Sequence, residues 1–250
     1  MHPLTFASCA HPPYPIPSLI MNSTLTADAP LATPLLHYTP LHPAPLHPTH
    51  APITNSTTGL YRDITDLAHD APHWLRSLAD IGTEGGLLLL MALAVAAWWR
   101  ARRGSAHRVA LALLAPIATA AAYLLSEIIK SAVHEERPCR AVAGAAASLI
   151  PCPPHGDWSF PSNHSTIAAA LAVGIAATWR TALWLALPIA LLTGFSRIFV
   201  GVHYPHDVAA GLTLGATAAV LCTALLSRPT TRLVHHLRAS NRKWQILVQP

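Results

Sequence analysis

Charge is scarce in this sequence. Only 11% of its 250 residues are Asp, Glu, Lys or Arg, against about 25% in ordinary soluble domains. Together with a 52% hydrophobic content, that deficit argues against a soluble globule and for a polytopic membrane protein. Negative charge is scarcest, with 11 acidic residues against 16 Lys and Arg, giving a net charge of +5 and a pI near 9.3. The basic surplus does not make a nucleic-acid binder. The charges form no single run, and aromatic residues are only 6%. The N-terminal stretch does not read as a secretory leader, having neither a basic n-region nor a continuous apolar core.

What is present is apolar and periodic. Five apolar stretches stand out: Gly85–Trp99, Val109–Ile129, Thr166–Trp179, Thr181–Val200 and Val208–Leu226. A helical span needs about 17–25 residues. The first stretch reaches that length by extending back through Thr83, the third by extending back to Ser162. Soluble helices this apolar would leave too little polar surface. The expected fold class is therefore all-α, a polytopic membrane bundle of five spans.

The charges orient the bundle. The turns after the first and third spans, with the C-terminal tail, carry Arg100, Arg102, Arg103, Arg108, Arg180, Arg228, Arg232, Arg238, Arg242 and Lys243. That is 10 of the 16 basic residues and none of the 11 acidic ones. The positive-inside bias makes this side cytoplasmic. Five crossings then put the N-terminus outside, in a multi-pass plasma-membrane protein.

Residues 1–57 differ from the rest. Twelve of the 23 prolines fall in the first 52 residues, among Ser, Thr, Ala and His, so this stretch buries too little apolar area to fold and is expected to be disordered. His37, His42, His47 and His50 are read as part of a Pro/His-rich tail rather than as a metal site. Over 59–80, Leu60, Tyr61, Ile64, Leu67, Ala68, Ala71, Trp74, Leu75 and Leu78 recur at helical spacing opposite Asp63, Asp66 and Asp70. This is an amphipathic helix, which Pro72 kinks or divides. It lies on the outer leaflet or packs on the bundle. The expected division is a tail at 1–57, a membrane domain at 58–228 and a basic cytoplasmic tail at 229–250.

Three polar segments sit at the edges of the apolar runs: KSAVHEERP at 130–138, PSNH at 161–164 and SRIFVGVHYPHD at 196–207. The topology puts all three at the outer face. Lys130, Arg137 and Arg197 are cations near span ends, and Arg197 interrupts an apolar run at a cost of about 2.5–3.5 kcal/mol on insertion scales. Three converging cations make an anion site. Ser162 opens the third span as a cap and hydroxyl donor, where free N–H groups and the helix dipole favour phosphate. His164 stands beside it with a proton to give. Asp207 lies four residues beyond His203, within reach of its ring, and a carboxylate on one ring nitrogen frees the other as a nucleophile. His206 is expected to point elsewhere. In the loop between the second and third spans, Cys139 and Cys152 face an oxidising exterior and are expected to form a disulfide that holds the loop presenting Arg137.

The pattern K-x6-R-P, P-S-x-H, S-R-x5-H-x3-D resembles the three-part signature of the type 2 phosphatidic acid phosphatase superfamily. Lys130, Arg137 and Pro138 match the first part. Pro161, Ser162 and His164 match the second; Ser196, Arg197, His203 and Asp207 match the third. The resemblance covers about residues 60–228. Asn163 stands where the family often has Gly. With the Ser-Phe-Pro-Ser run at 159–162, it makes the chain most similar to the bacitracin-resistance type of undecaprenyl-diphosphate phosphatase. Asn tolerates the left-handed backbone that a glycine there permits.

The resemblance implies a lipid phosphatase that needs no cofactor and no metal. Lys130, Arg137, Arg197, Ser162 and Asn163 would bind the phosphoryl group. His203 would attack phosphorus and form a phosphohistidine, Asp207 would orient it, and His164 would act as general acid and then base. The substrate expected is a polyprenyl diphosphate in the bilayer, cleaved in carrier-lipid recycling for the cell wall. A phosphatidate or phosphatidylglycerophosphate phosphatase and a decaprenyl-phosphoribose phosphatase share these residues. A transporter would spread its polar residues through the bilayer depth instead. Glu127, Glu135 and Glu136 are close enough in sequence to tune the site but are expected to be exposed loop charges, the alternative for Glu127 being the bundle interior. Oligomeric state is left open.

Overall fold

The computed structural model describes residues 53–240, with side chains from residue 57. Residues 1–52 of the expected disordered tail, with its four histidines, lie outside the described residues, as do Arg242 and Lys243, while residues 53–57, expected to belong to that tail, are helical. The described chain is all helical: α1 (Ile53–Asp70), α2 (His73–Ala101), α3 (Ala106–Val133), a single turn α4 (Pro138–Ala141), α5 (Asn163–Thr178), α6 (Leu183–Phe199) and α7 (Pro205–Ala239), with a 3-10 turn at Arg180–Ala182 before α6.

Pro72 divides the helix expected over 59–80. It lacks an N–H and biases its neighbour away from helical backbone, so α1 ends at Asp70 and Pro72 caps α2. Trp74, Leu75 and Leu78 thus belong to the first span rather than to the amphipathic helix. The stripe of α1 carrying Tyr61, Thr65 and Ala68 is buried, so this helix packs on protein. The Tyr61 hydroxyl donates to the Gly201 carbonyl at 2.9 Å, pinning α1 to the turn between α6 and α7. Gly201 has φ +85°, and a Cβ there would meet Ser148 Cα at 3.0 Å, so the turn requires glycine.

Four helical segments are long and apolar enough to cross a membrane: His73–Ala101, Ala106–Ala141, Arg180–Phe199 and Pro205–Ala239. The third expected span, α5, has 16 residues. At 1.5 Å per residue it is about 24 Å long, short of the roughly 30 Å hydrocarbon layer. Its burial on almost every side explains the shortness. Ala168, Ala169, Ala170, Leu171, Ala172, Gly174 and Ile175 are all buried, as expected of a helix that is apolar all round and forms the centre of a bundle. The other helices surround it through small residues. Ala118 and Ala122 of α3 and Ala219 of α7 cluster with Ala170, the composition that lets membrane helices approach without a hydrophobic driving force. The closest approach is α5 on α7, where a Cβ at Gly215 would lie 2.0 Å from the Thr166 carbonyl oxygen. Outward faces present Leu88, Leu124, Trp184, Leu192 and Leu225.

α7 continues past the end expected at Leu226. Val234 packs with Ala106, Val109 and Ala110 of α3, and the Arg238 guanidinium donates to the Gly104 and Arg102 carbonyls at 3.1 and 3.2 Å. Those contacts carry the helix through Pro229 to Ala239. Arg100 and Arg102 at this end lie over Trp179 and Trp99. The three polar segments gather at the opposite end, where α3 and α6 finish and α5 and α7 begin.

Candidate active site

Helix ends supply the site. Pro205 occupies the first turn of α7, where its missing N–H costs nothing. The Asp207 carboxylate folds back to accept the Tyr204 N–H at 2.8 Å. The same oxygen, Oδ2, accepts the Ser159 hydroxyl and lies 3.2 Å from His203 Nδ1. The other ring nitrogen, Nε2, lies 3.0 Å from Arg137 Nη1. An arginine only donates, so Nε2 must be the acceptor and the ring proton must sit on Nδ1, facing Asp207. His203 is thus a neutral imidazole with its lone pair on Nε2. Burial agrees: it drives the His203 pKa down to about 4, outweighing the opposing hydrogen bond to Asp207. A lone pair held on the far side from a buried carboxylate is the ground state of a histidine nucleophile.

Around it stand three buried cations, Lys130, Arg137 and Arg197. Arg137 is the most fully engaged. It donates Nε to the Asp157 carbonyl at 2.8 Å, Nη2 to the Asp157 carboxylate at 2.9 Å and Nη1 to the Val202 carbonyl at 3.1 Å. Lys130 Nζ lies 3.5 Å from the same Asp157 oxygen. Burial pushes the Asp157 carboxyl up, but the hydrogen bond and charge of Arg137, with Lys130 behind, hold it below the usual carboxylate range. An ionised carboxylate between a lysine and an arginine occupies the kind of position a phosphoryl oxygen would take. Arg197 accepts the backbone N–H groups of Val202 and His203 at its carbonyl, both at 3.2 Å, and so sits beneath the His203 turn. Its Nη1 donates to Thr83 Oγ1 at 3.2 Å, and its buried Nε has no acceptor.

Ser162 caps α5, and its own N–H donates to the Asp207 carbonyl at 3.1 Å. Two motif segments are thereby tied through their main chains. Within the first turn of α5, His164 Nε2 lies 2.7 Å from Glu84 Oε1 of α2. A disulfide joins Cys139 to Cys152, with Cα atoms 6.1 Å apart, and Arg140 donates into the same loop at the Pro153 carbonyl. The loop returns through Ser159, whose N–H donates to the Glu135 carbonyl at 2.8 Å.

The family comparison matches residues 110–230 to the PAP2 superfamily. The chain carries a PAP2 domain. An undecaprenyl-diphosphatase of Bacillus subtilis is 35% identical over 133 residues, covering 53% of this chain and 65% of that protein. A decaprenylphosphoryl-5-phosphoribose phosphatase of Mycobacterium tuberculosis is 41% identical over 102 residues, covering 40% of this chain and 52% of that protein. The chain thus spans between half and two thirds of the length of these relatives. The crystal structure of a transmembrane PAP2-type phosphatidylglycerolphosphate phosphatase from Bacillus subtilis shares the fold, with a TM-score of 0.50 and 23% identity over 70% of this chain and 89% of that one. The PAP2 domain of this protein is a multi-pass membrane bundle.

Lys130, Arg137, Ser162, His164, Arg197, His203 and Asp207 all lie at one end of the PAP2 domain. Asn163 departs from expectation. It is the first residue of α5, and its backbone is not left-handed, since His134 is the only non-glycine with positive φ among the described residues. Its amide accepts from Ser126 at 2.7 Å and donates to Glu127 at 2.6 Å, so the side chain serves the α3–α5 contact rather than the cation cluster. Glu135 departs too. It is not an exposed loop charge but accepts from His206 Nε2 at 2.9 Å, and that nitrogen is also 3.3 Å from Asp207 Oδ1. His206 therefore turns toward Asp207 from the side opposite His203. Glu135, His206 and Asp207 bring one ligand atom each within 4.8 Å of one another; His206 Nε2 hydrogen-bonds Glu135, while the buried Asp207 Oδ1 has no hydrogen-bond partner among the described residues. Sequence reasoning missed Ser159, Asp157, Thr83 and Glu84. Only Glu84 carried a signal, as an acid abutting an apolar run.

Proposed function

We propose that this protein is an integral-membrane lipid phosphatase that cleaves a polyprenyl diphosphate to the monophosphate and phosphate. The observation that carries the reading is the unprotonated His203 Nε2 held against Arg137 in a pocket of three buried cations. Lys130, Arg137 and Arg197, with the Ser162 hydroxyl, hold the phosphoryl oxygens. His203 Nε2 attacks phosphorus as the bond to the leaving oxygen breaks, giving a phosphohistidine. Asp207 stabilises the positive charge that develops on the ring. His164 gives its proton to the leaving oxygen, then takes one from the water that displaces His203. No cofactor enters, because the fixed cations neutralise the equatorial charge.

Two observations favour a lipid. The site lies at the end of an apolar bundle, and an apolar groove of about 500 Å³ between α2 and α6 runs up to Ser196, beside Arg197. The similarity to an undecaprenyl-diphosphatase favours a diphosphate headgroup. The similarity to a decaprenylphosphoryl-5-phosphoribose phosphatase favours the second reading, a polyprenyl-linked monophosphate. The basic turns at the opposite end favour an extracytoplasmic active site by the positive-inside bias.

Phosphate release from a panel of lipid phosphates in detergent tests this reading, with His203→Ala as control. Undecaprenyl diphosphate should be the best substrate and the variant inactive. A preference for glycerolipid monophosphates would overturn the substrate assignment. Activity in His203→Ala equal to that of the parent would overturn the mechanism.

A further inference from the structure

The three motif segments leave out α2, yet α2 reaches the site with two consecutive side chains. Thr83 is buried, and its hydroxyl lies 2.9 Å from Ser196 Oγ while accepting Arg197 Nη1 at 3.2 Å. Glu84, one residue on, projects to the start of α5 and meets His164 Nε2 at 2.7 Å. The backbone geometry is built for this approach. One turn below, a Cβ at Gly86 would lie 2.1 Å from Thr193 Oγ1, so only glycine lets α2 come close enough to α6 for Thr83 to reach Ser196 and Arg197. Both residues lie outside residues 110–230, the part matched to the PAP2 superfamily.

We propose that Thr83-Glu84 is a fourth segment of the active site, in which Glu84 is the positioning residue of His164 as Asp207 is of His203. This rests on the assignment of His164 as acid and base. The Glu84 carboxylate accepts the Nε2 proton, fixes the ring, and stabilises the imidazolium whose second proton, on Nδ1, passes to the leaving oxygen as its bond to phosphorus breaks. The ring is then neutral. It takes a proton back from the attacking water as the phosphorus–His203 bond breaks. Thr83 plays the companion part by holding the Arg197 fork at one nitrogen. The two histidines are thus each backed by a carboxylate, but from different helices: Asp207 from the same helix start as the nucleophile, Glu84 from across the bundle.

Leaving-group dependence separates this role from a merely structural one. p-Nitrophenyl phosphate releases a stable phenolate that needs no proton, whereas a short-chain alkyl phosphate releases an alkoxide that does. General acid catalysis is worth about 10²–10⁴-fold, so Glu84→Gln should lose about tenfold or more in kcat on the alkyl ester beyond any loss on the aryl ester, with KM little changed. Glu84 is two-thirds exposed at its side chain, so the exchange does not threaten folding. Thr83→Val should instead raise KM for both esters. His164→Ala is the reference. If it shows no alkyl-over-aryl split, the acid assignment itself fails. If it shows the split and Glu84→Gln does not, or if Glu84→Gln is faster than the parent, the role given to Glu84 is overturned.

Discussion

Replacing Asp207 by Asn tests the central arrangement quantitatively. The substitution keeps the shape. The Asn oxygen can still accept the Tyr204 N–H, the Ser159 hydroxyl and the His203 Nδ1 proton now shared by Oδ2, so the turn into α7 should survive. What disappears is the negative charge 3.2 Å from the ring that the proposed phosphorylation makes positive. At an effective dielectric constant of about 20, opposite unit charges at that distance attract by about 5 kcal/mol. The amide dipole recovers part of this, so the expected loss in the phosphorylation rate is about 10²–10⁴-fold. The assay is a rapid-quench single turnover with radiolabelled substrate, following acid-labile, base-stable phosphoprotein. A thermal melt in detergent confirms an intact fold. A folded Asp207→Asn protein that phosphorylates within about threefold of the parent would refute the claim that Asp207 works through its charge.

Further outcomes follow from packing, ionisation and the loop. Gly215→Ala would place a methyl 2.0 Å from a backbone oxygen of α5 and should cost about 1–3 kcal/mol or more, read as a lower melting temperature. Gly82→Ala, which meets open space, should not lower it. Because the His203 pKa is depressed to about 4, the lone pair persists as pH falls below the ordinary histidine range. The acid limb of kcat/KM due to this residue should therefore appear near pH 4, and a limb near 6.5 that survives correction for substrate ionisation would contradict a neutral buried His203. Cys139→Ser releases the loop that starts two residues after Arg137. It should raise KM more than it lowers kcat, and an unchanged KM would show that the disulfide does not hold Arg137 in place.

How much of this was legible depended on whether the signal was local. His203 and Asp207 are four apart on one chain segment, and Ser162 and His164 share one helix start, so their spacing disclosed them. The helical class followed from long apolar runs. The ends of helices were less visible, since α7 is extended by contacts of Val234 and Arg238 with the α2–α3 turn and the start of α3, which no local pattern records. Asn163 was misread because the side chain could be judged only against its own backbone, while its real partners, Ser126 and Glu127, lie 37 and 36 residues away. Thr83, Asp157 and Ser159 were invisible for the same reason, and Glu84 showed only as an acid abutting an apolar run. Each acts on a residue from another segment, and a Thr, an acid or a Ser alone signals nothing.

The Arg137 guanidinium that touches His203 Nε2 makes the resting site a latch. The lone pair is capped by a cation, and that cation is one of the three proposed to hold the phosphoryl group. An incoming phosphoryl oxygen would compete with the ring nitrogen for that guanidinium, so that capture of the ligand and exposure of the reactive nitrogen would be one event. A phosphodiester, with one negative charge where a terminal phosphate carries up to two, would compete more weakly, so the same contact would favour terminal phosphates over the diesters of a surrounding bilayer.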